Sequence, residues 1–251
     1  MSELGDTPYA RITALMDRLR AECPWDREQS FETIAPYTVE ESYEVMDAIE
    51  RQDMPDLKNE LGDLLFQVLF HSKMASEIDA FDFEDVCEGL VAKMVRRHPH
   101  VFAGGEVPDW DTIKAAERKG GGQSRTLDGV AKSLPALMRA EKLQKRAAKR
   151  GFDWPDTEGP VEKLREEIEE VSQAVRTENQ DEIVAEIGDL LFSVVNLARK
   201  LGVEPEAALR QANSKFSRRF NAVEDQAGRD LEVLSLDEME ALWQAAKQDE
   251  L

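Results

Sequence analysis

The sequence contains very few of the residues that build disulfide-rich domains and zinc sites. Cys23 and Cys87 are its two cysteines, and three residues are histidine. The cysteines form no Cys-x-x-Cys pair and have no histidine at a spacing typical of zinc ligands. The sequence therefore predicts neither a disulfide framework nor a structural zinc ion.

Long apolar segments and positive charge are also scarce. No apolar run approaches the length that spans a membrane, and no basic segment followed by an apolar stretch opens the chain. The 32 lysine and arginine residues are outnumbered by 52 acids, which gives a net charge of -20. This charge repels nucleic acid and anionic membranes. We therefore expect a cytoplasmic protein with no membrane or nucleic-acid partner, which binds an anionic ligand only through cations.

Apolar residues recur at helical spacing through most of the sequence. Apolar residues recur three and four positions apart, as in Leu57, Leu61, Leu64 and Leu65, and no sustained period-two segment occurs. With 41% hydrophobic residues the chain can build a core, and 251 residues favour two modest domains. An all-α fold is predicted. Helices are expected to begin near Pro36, Pro55, Pro160 and Pro205 and to end near Gly151 and Gly202.

The second half of the chain repeats the first. Residues 126 positions apart match in two blocks: Glu40, Glu41, Glu44 and Val45 with Glu166, Glu167, Glu170 and Val171, and Glu60, Gly62, Asp63, Leu64, Leu65 and Phe66 with Glu186, Gly188, Asp189, Leu190, Leu191 and Phe192. At an offset of 122, Lys93, Arg96 and Arg97 match Lys215, Arg218 and Arg219. The repeat predicts two tandem helical modules, 1–103 and 133–251. They are joined by a linker, 104–132, with a short helix from Trp110 to Lys119.

Each module carries acidic side chains at spacings that place them on one helix face. Glu41 with Glu44, and Glu60 with Asp63, lie three residues apart. Such like-charge pairs destabilise a helix by about 0.2–0.5 kcal/mol, and a mid-helix glycine such as Gly62 costs about 1 kcal/mol relative to alanine. A divalent cation between two facing helices would offset these penalties, and carboxylate oxygens suit Mg²⁺ or Mn²⁺. We therefore predict a metal site in each module, where the glycine lets a partner helix or ligand approach.

The same acids also have a simpler interpretation as solvated faces of an acidic protein. Thr38-x-x-Glu41 fits a capping box, which would make Glu41 part of a helix start. In the second module Pro160 argues against that interpretation, because it places the helix start well before Glu167. The duplication of the whole pattern favours the metal site, since carboxylates on paired helices are a known metal-binding arrangement.

Cationic side chains near the C-terminus form a candidate anion site. Lys215, Arg218 and Arg219 lie on one amphipathic helix with Phe216, and their donors suit phosphate oxygens. Ion pairing with the surplus acids is the alternative interpretation. Next to a metal–carboxylate site, these cations would bind the far end of a polyphosphate.

Taken together, these blocks resemble the MazG family of all-α nucleoside triphosphate pyrophosphohydrolases over nearly the whole chain. The resemblance is carried by CPWDREQSF from Cys23, EExxE from Glu40, ELGDLLF from Glu60, RRHPHVF from Arg96, KRGFDWPD from Lys149, EEIEE from Glu166, EIGDLLF from Glu186 and NSKFSRRF from Asn213. EExxE followed by ExxD at this separation is specific to the family, and it occurs twice. The resemblance implies MazG-type modules that form four-helix-bundle-like units on dimerisation, and hence a homodimer.

The resemblance also implies an activity and a set of site residues. The activity is magnesium-dependent hydrolysis of a nucleoside triphosphate, ribose or deoxyribose, to the monophosphate and pyrophosphate. The implied metal ligands are Glu167, Glu170, Glu186 and Asp189 in the second module, matched by Glu41, Glu44, Glu60 and Asp63 in the first. The implied nucleotide contacts are Lys163, Lys215, Arg218, Arg219 and Trp243. In two-module relatives the C-terminal module is the active one, although here the first module keeps every acid.

A reaction scheme and two alternatives follow from these residues. We hypothesise that a water activated by metal, with Glu166 as general base, attacks the α-phosphorus. A di-iron carboxylate oxidoreductase would need Glu-x-x-His, which neither acidic block contains. A nucleotide- or metal-sensing dimerisation module without turnover is the remaining alternative. Release of pyrophosphate from nucleotides discriminates that module from the hydrolase.

Overall fold

The computed structural model describes residues 6–104 and 125–248, together with Leu4, Val107 and Ile113. Over these residues the chain forms α-helices, short 3-10 turns and connecting loops, and no strand. The predicted all-α fold is confirmed. None of the described helices is long and apolar enough to cross a membrane. The short helix predicted from Trp110 to Lys119 lies outside the described residues, apart from Ile113.

The chain divides into two compact units, Met1–Ala115 (unit 1) and Ala116–Leu251 (unit 2). The helices described in unit 1 are α1 (Pro8–Glu22), α2 (Pro24–Glu28), α3 (Phe31–Glu50), α4 (Met54–Ser76), α5 (Phe83–Arg97) and α6 (Pro99–Phe102). Those described in unit 2 are α7 (Ala136–Ala148), α8 (Glu158–Thr177), α9 (Gln180–Lys200), α10 (Pro205–Ala227) and α11 (Leu236–Gln248). A 3-10 turn, Leu231–Val233, separates α10 from α11. The sequence-derived limits of the modules and linker, at 103/104 and 132/133, stay a prediction.

Both units are built around a pair of long helices packed side by side, α3 with α4 and α8 with α9. Helix α1 packs on α4 in unit 1, as α7 packs on α9 in unit 2. Positions 126 residues apart are buried in both units: Ile34 and Pro160, Ala48 and Ala174, Leu69 and Val195. The sequence repeat is therefore also a structural repeat, which puts the two acidic blocks at equivalent places in two helix hairpins.

Capping side chains set where the unit 1 hairpin begins and turns. The Ser30 hydroxyl accepts from the Thr33 backbone N–H while the Thr33 hydroxyl accepts from the Ser30 N–H, which forms a capping box at the start of α3. Gln52 adopts a left-handed conformation with φ of 57° between the two helices. The Asp53 side chain then accepts from the Asp56 N–H at the start of α4, where Pro55 occupies the first turn.

Two sequence expectations about α3 are wrong. Pro36 lies inside the helix rather than near its start, because the capping box at Ser30 begins the helix one and a half turns earlier. Thr38 is therefore no N-cap, and its hydroxyl instead hydrogen-bonds His71 Nε2 on α4 at 3.1 Å. Glu41 does not belong to a helix start. Its position in mid-helix removes the capping interpretation and leaves its carboxylate available for other contacts.

The cores of the two units differ in size. In unit 1 the buried cluster consists of Met16, Ile34, Leu69, Phe70 and Met74. In unit 2 the buried apolar residues are smaller: Pro160, Ala174, Val195, Pro205, Val223 and Ala246. The position that Phe70 fills in unit 1 holds Asn196 in unit 2. The buried apolar side chains of unit 1 are therefore larger than those of unit 2, and each stabilises its unit more.

Replacing Phe70 by alanine should lower the free energy of unfolding by about 3–5 kcal/mol, because a fully buried ring is lost and a cavity remains. Urea denaturation followed by far-ultraviolet circular dichroism measures the change. Ile78 is 66% exposed, so Ile78→Ala is the control and should change the free energy by less than about 0.5 kcal/mol. Equal effects of the two substitutions would contradict the placement of Phe70 in the core.

Candidate functional site

Each helix hairpin brings three acidic side chains together. In unit 2 the carboxylates of Glu167, Glu186 and Asp189 each offer an oxygen that lies within 4.8 Å of the other two. In unit 1 the group with this geometry is Glu41, Glu60 and Asp63. We call these the unit 2 cluster and the unit 1 cluster. Each gathers three of the four acids that the sequence predicted as a metal site.

The hairpin geometry explains why acids so distant in sequence meet. Glu167 lies in the middle of α8, whereas Glu186 and Asp189 lie one turn apart on α9. The two helices are joined by Glu178, which is left-handed with φ of 55°, and by Asn179, whose side chain accepts from two N–H groups at the start of α9. This tight connection fixes the register in which the two acidic faces oppose each other.

The fourth predicted acid lies at the edge of each cluster. Glu170 is exposed, and its Oε2 lies 3.9 Å from Lys163 Nζ. Glu44 is also exposed, and its negative charge raises the pKa of Glu41. Both are one turn beyond the central glutamate on the same helix. Either side chain can change its rotamer without a movement of the backbone.

Lys163 neutralises part of the unit 2 cluster. Its Nζ lies 2.8 Å from Glu166 Oε1 and 2.8 Å from Glu167 Oε1. The hydrogen bonds to these two carboxylates raise the pKa of Lys163, which keeps it charged. Glu167 is only 2% exposed, and its second oxygen, Oε2, has no hydrogen-bond partner among the described residues. A buried carboxylate oxygen without a partner is costly unless it binds a cation or a donor.

The pKa values of several acids in and beside the clusters are raised. Burial raises the pKa of Glu41, and the negative charges of Glu44 and Asp63 raise it further. Burial also raises the pKa of Glu60, with Glu44 as the next cause. In unit 2 burial raises the pKa of Glu170, and Lys163 opposes that shift. In the unit 1 cluster and at the edge of the unit 2 cluster, burial and neighbouring acids therefore disfavour the charged form of these carboxyls.

The structure brings together some of the cationic and aromatic residues predicted as nucleotide contacts in unit 2. The guanidinium carbon of Arg219 lies 5.9 Å from the centre of the Trp243 ring, and the rings of Phe216 and Trp243 are 5.3 Å apart. These contacts join α10 to α11. Lys215 and Arg218 lie exposed on α10. The structure thus brings Arg219 together with Trp243, while Lys215 and Arg218 project from the same helix.

Among the described residues, no other part of the chain makes the close approach predicted at the two helix glycines. A Cβ placed on Gly62 or on Gly188 would meet no atom of the described residues within 4 Å. By contrast, a Cβ on Gly159 would lie 2.4 Å from the Trp154 ring, which covers the first turn of α8. Gly159 is therefore needed for packing within unit 2, whereas Gly62 and Gly188 leave open space beside the acids.

Sequence reasoning missed an ion pair that anchors the loop before α8. The Asp153 carboxylate accepts from both terminal nitrogens of Arg199 and from Lys200 Nζ, the latter at 3.3 Å. The Lys200 ammonium also donates to the Trp154 carbonyl at 2.5 Å. Asp153 lies in the block KRGFDWPD, but its partners are 46 and 47 residues away, so nothing local to the block revealed them. The anchored loop fixes the start of the helix that carries Lys163.

Fold and geometry together define the class: a tandem helical protein with one carboxylate cluster in each of two related hairpins. Residues 29–102 and 157–224 both match the model of the MazG nucleotide pyrophosphohydrolase domain. The chain belongs to the MazG family. The resemblance derived from the sequence blocks is thereby confirmed.

Relatives of similar length share most of the sequence. The chain is 50% identical over 256 residues to the nucleoside triphosphate pyrophosphohydrolase of Escherichia coli (strain K12), which covers 96% of this chain and 97% of that protein. It is 42% identical over 247 residues to the nucleoside triphosphate pyrophosphohydrolase/pyrophosphatase MazG of Thermotoga maritima, covering 95% of each. The crystal structure of a mazG-related protein from Thermotoga maritima matches 44% of this chain and 97% of that chain, with 27% identity and a TM-score of 0.37.

Asp153→Asn should lower the free energy of unfolding by about 2 kcal/mol at pH 7, because a charge-assisted contact with Arg199 is lost. Hydrogen bonding to Arg199 lowers the pKa of Asp153 from 3.8 to about 2. Its contribution is therefore complete above about pH 4 and is lost as the pH falls towards 2. The difference between wild type and variant, measured by urea unfolding, should shrink between pH 7 and pH 3. A difference that stays constant would contradict the ion pair.

Proposed function

We propose that this chain hydrolyses nucleoside triphosphates to nucleoside monophosphates and pyrophosphate at the unit 2 cluster. The observation that carries the proposal is the buried Glu167 carboxylate, whose unpartnered oxygen lies in a group with Glu186 and Asp189. The relatives at 42–50% identity, which carry that activity in their names, support the same reaction.

The donor set of the unit 2 cluster fits a divalent cation. Glu167, Glu186 and Asp189 offer hard oxygen ligands, which favour Mg²⁺ or Mn²⁺ over metals that prefer nitrogen or sulfur. The exposed Glu170 would complete the set after a change of rotamer. When bound, such an ion would neutralise phosphate charge and lower the pKa of a coordinated water. The cluster is thus suited to hold the triphosphate of an anionic substrate on an acidic protein.

The remaining predicted residues have complementary roles. Lys163 would leave its carboxylate partners for a phosphate oxygen, and this movement would free Glu166 to accept the proton of the attacking water. Attack at the α-phosphorus then separates pyrophosphate from the monophosphate. Lys215, Arg218 and Arg219 would bind the outer phosphates. Trp243, already packed against Phe216 and Arg219, would contact the nucleoside through its ring.

Glu167→Ala and Asp189→Ala should each reduce pyrophosphate release from a panel of nucleoside triphosphates with Mg²⁺. We expect a loss of about 100- to 1,000-fold or more, the range for removing one group that stabilises transition-state charge. Glu169→Gln is the control, because Glu169 lies two residues from Glu167 on α8 with a side chain that is 72% exposed. Retained activity in both alanine variants would refute the assignment of the site to unit 2.

We further propose that the protein works as a homodimer. The α8/α9 hairpin exposes an apolar stripe made of Ile168, Val175, Val184, Ile187, Leu191 and Val194. Leu61, Leu65 and Val68 form the matching exposed stripe on α4. Contiguous exposed apolar stripes of this kind mark association surfaces. The open space beside Gly188 would let a helix of a second copy approach this face closely.

Size-exclusion chromatography with light scattering should give a mass near twice that of the 28.4 kDa chain. Leu191→Arg should shift the protein towards the monomer, because it places a charge in the centre of the apolar stripe, where Leu191 is 50% exposed. Leu201→Arg is the control, since Leu201 is 61% exposed but lies just beyond the end of α9. A monomeric wild-type protein would contradict the homodimer and favour pairing within one chain.

A further inference from the structure

The loop before α8 holds the indole ring of Trp154 against the helix that carries Glu167. A Cβ placed on Gly159 would lie 2.6 Å from Cδ2 and 3.0 Å from Cζ3 of this ring, and these two atoms flank Cε3, which lies closest. Similar distances to three consecutive ring atoms mean that Gly159 faces the plane of the ring rather than its edge. The first turn of α8 therefore covers one face of the indole. Trp154 is nevertheless 45% exposed, which leaves the other face open.

Backbone contacts hold Trp154 in this position. Lys200 Nζ donates to the Trp154 carbonyl at 2.5 Å, and the Asp153 carboxylate accepts from the Trp154 N–H at 3.0 Å. Arg199 donates to the same carboxylate at 3.1 Å. Because Arg199 and Lys200 belong to the last turn of α9, the loop is fixed without any ligand. An aromatic surface that is already ordered loses little conformational entropy when a ligand binds to it.

The ring lies in line with the unit 2 cluster. Gly159, Lys163 and Glu167 follow one another at intervals of four residues on α8, so they lie along one side of the helix. Each interval advances about 6 Å along the helix axis. The order along this side is thus an aromatic ring, an ammonium group and the buried carboxylate of the cluster. A nucleotide presents its groups in the same order: base, phosphates and the cation that the phosphates bind.

Two other aromatic residues of unit 2 fit a stacking role less well. Phe152 precedes Trp154 in the same loop, but it is 83% exposed and its ring is not packed against a helix. Trp243 is half-buried and already contacts Phe216, with ring centres 5.3 Å apart, and the Arg219 guanidinium at 5.9 Å. Trp154 therefore combines a fixed position with an open ring face.

We propose that Trp154 is the surface on which the base stacks when a nucleoside triphosphate binds at the unit 2 cluster, an assignment that rests on the function proposed above. Trp243 remains a second contact of the nucleoside. Stacking recognises the flat face that every base has, and not the pattern of hydrogen-bonding groups at its edge. The site therefore accepts purine and pyrimidine nucleotides, and it favours purines because their larger faces stack more strongly.

Binding of nucleotides with and without a base tests the proposal. The ligands are the α,β-methylene analogues of ATP, GTP, CTP and UTP, which resist cleavage at the α-phosphate, and inorganic tripolyphosphate, which has no base. Dissociation constants of the full chain with Mg²⁺ are measured by isothermal titration calorimetry. Trp154→Leu should weaken binding of all four analogues about 5- to 100-fold, the range for one lost stack, and leave tripolyphosphate binding unchanged. Trp154→Phe should retain most of the affinity, since it keeps an aromatic face.

Matched variants separate stacking from folding. Gly159→Ala keeps the indole but displaces it, because the added Cβ overlaps the ring, so it should weaken the analogues and not tripolyphosphate. Phe152→Leu removes an aromatic ring from the same loop and should bind every ligand as the wild type does. Thermal unfolding followed by circular dichroism checks that each variant is folded.

Three outcomes would overturn the proposal. In the first, Trp154→Leu weakens tripolyphosphate as much as the analogues, which indicates a purely structural role. In the second, Trp154→Leu leaves all four analogues unaffected. In the third, the loss that depends on the base appears in Phe152→Leu or Trp243→Leu but not in Trp154→Leu.

Failure of this inference is distinguishable from failure of the proposed function. Pyrophosphate release from the four natural triphosphates is measured in parallel with the binding experiment. Turnover by the wild type, together with an unchanged KM in Trp154→Leu, would overturn the inference and leave the hydrolase intact. A base-dependent loss of binding in Trp154→Leu without turnover of any nucleotide by the wild type would support the inference and contradict the hydrolase.

Discussion

Mutual repulsion of carboxylates is the constraint around which both helix hairpins are organised. Three acidic groups are held within 4.8 Å of one another in each unit, and the packing of two long helices keeps them there. A positive charge among the acids reduces their repulsion. In unit 2 the ammonium of Lys163 supplies part of this charge, at 2.8 Å from Glu167. The packing of the two helices holds the acids together, and we propose that a bound cation offsets the remaining repulsion.

The two units share one arrangement of acids and differ in the side chains around it. The helix hairpin, the left-handed residue at its turn and the positions of the acids are repeated, whereas some side chains near the acids differ. Lys163 of unit 2 is matched by Tyr37 in unit 1, so the ammonium group that contacts Glu167 has no counterpart at that position. Equivalent acids therefore lie in different electrostatic surroundings in the two units.

Much of the architecture was predictable because it follows from local patterns. Helical spacing of apolar residues gave the all-α fold, and the offset of 126 aligned two hairpins that the structure shows to be equivalent. The starts of helices were less predictable, because Pro36 and Thr38 imitate local start signals while Ser30 caps the helix earlier. The acids that meet in each hairpin were predicted from their spacing. Their actual meeting depends on helix packing, which the structure supplied.

Features that depend on contacts between distant residues could not be predicted. The pairing of Asp153 with Arg199 and the burial of Gln67 leave no periodic trace in the sequence. The apolar stripes predicted the helices correctly. Residues of these stripes such as Leu65 and Leu191 nevertheless remain exposed in each unit. Helical periodicity indicates that one face of a helix is apolar, but it does not identify the partner that covers this face.

The unequal cores of the two units have a dynamic consequence. Phe70 and its neighbours fill unit 1, whereas no buried apolar residue described in unit 2 is larger than valine. Local opening of unit 2 therefore exposes less apolar surface and requires less free energy than opening of unit 1. Local opening is therefore expected to concentrate in unit 2, the unit in which we propose that the nucleotide binds. Unit 1, which has the larger buried side chains, is expected to open less often.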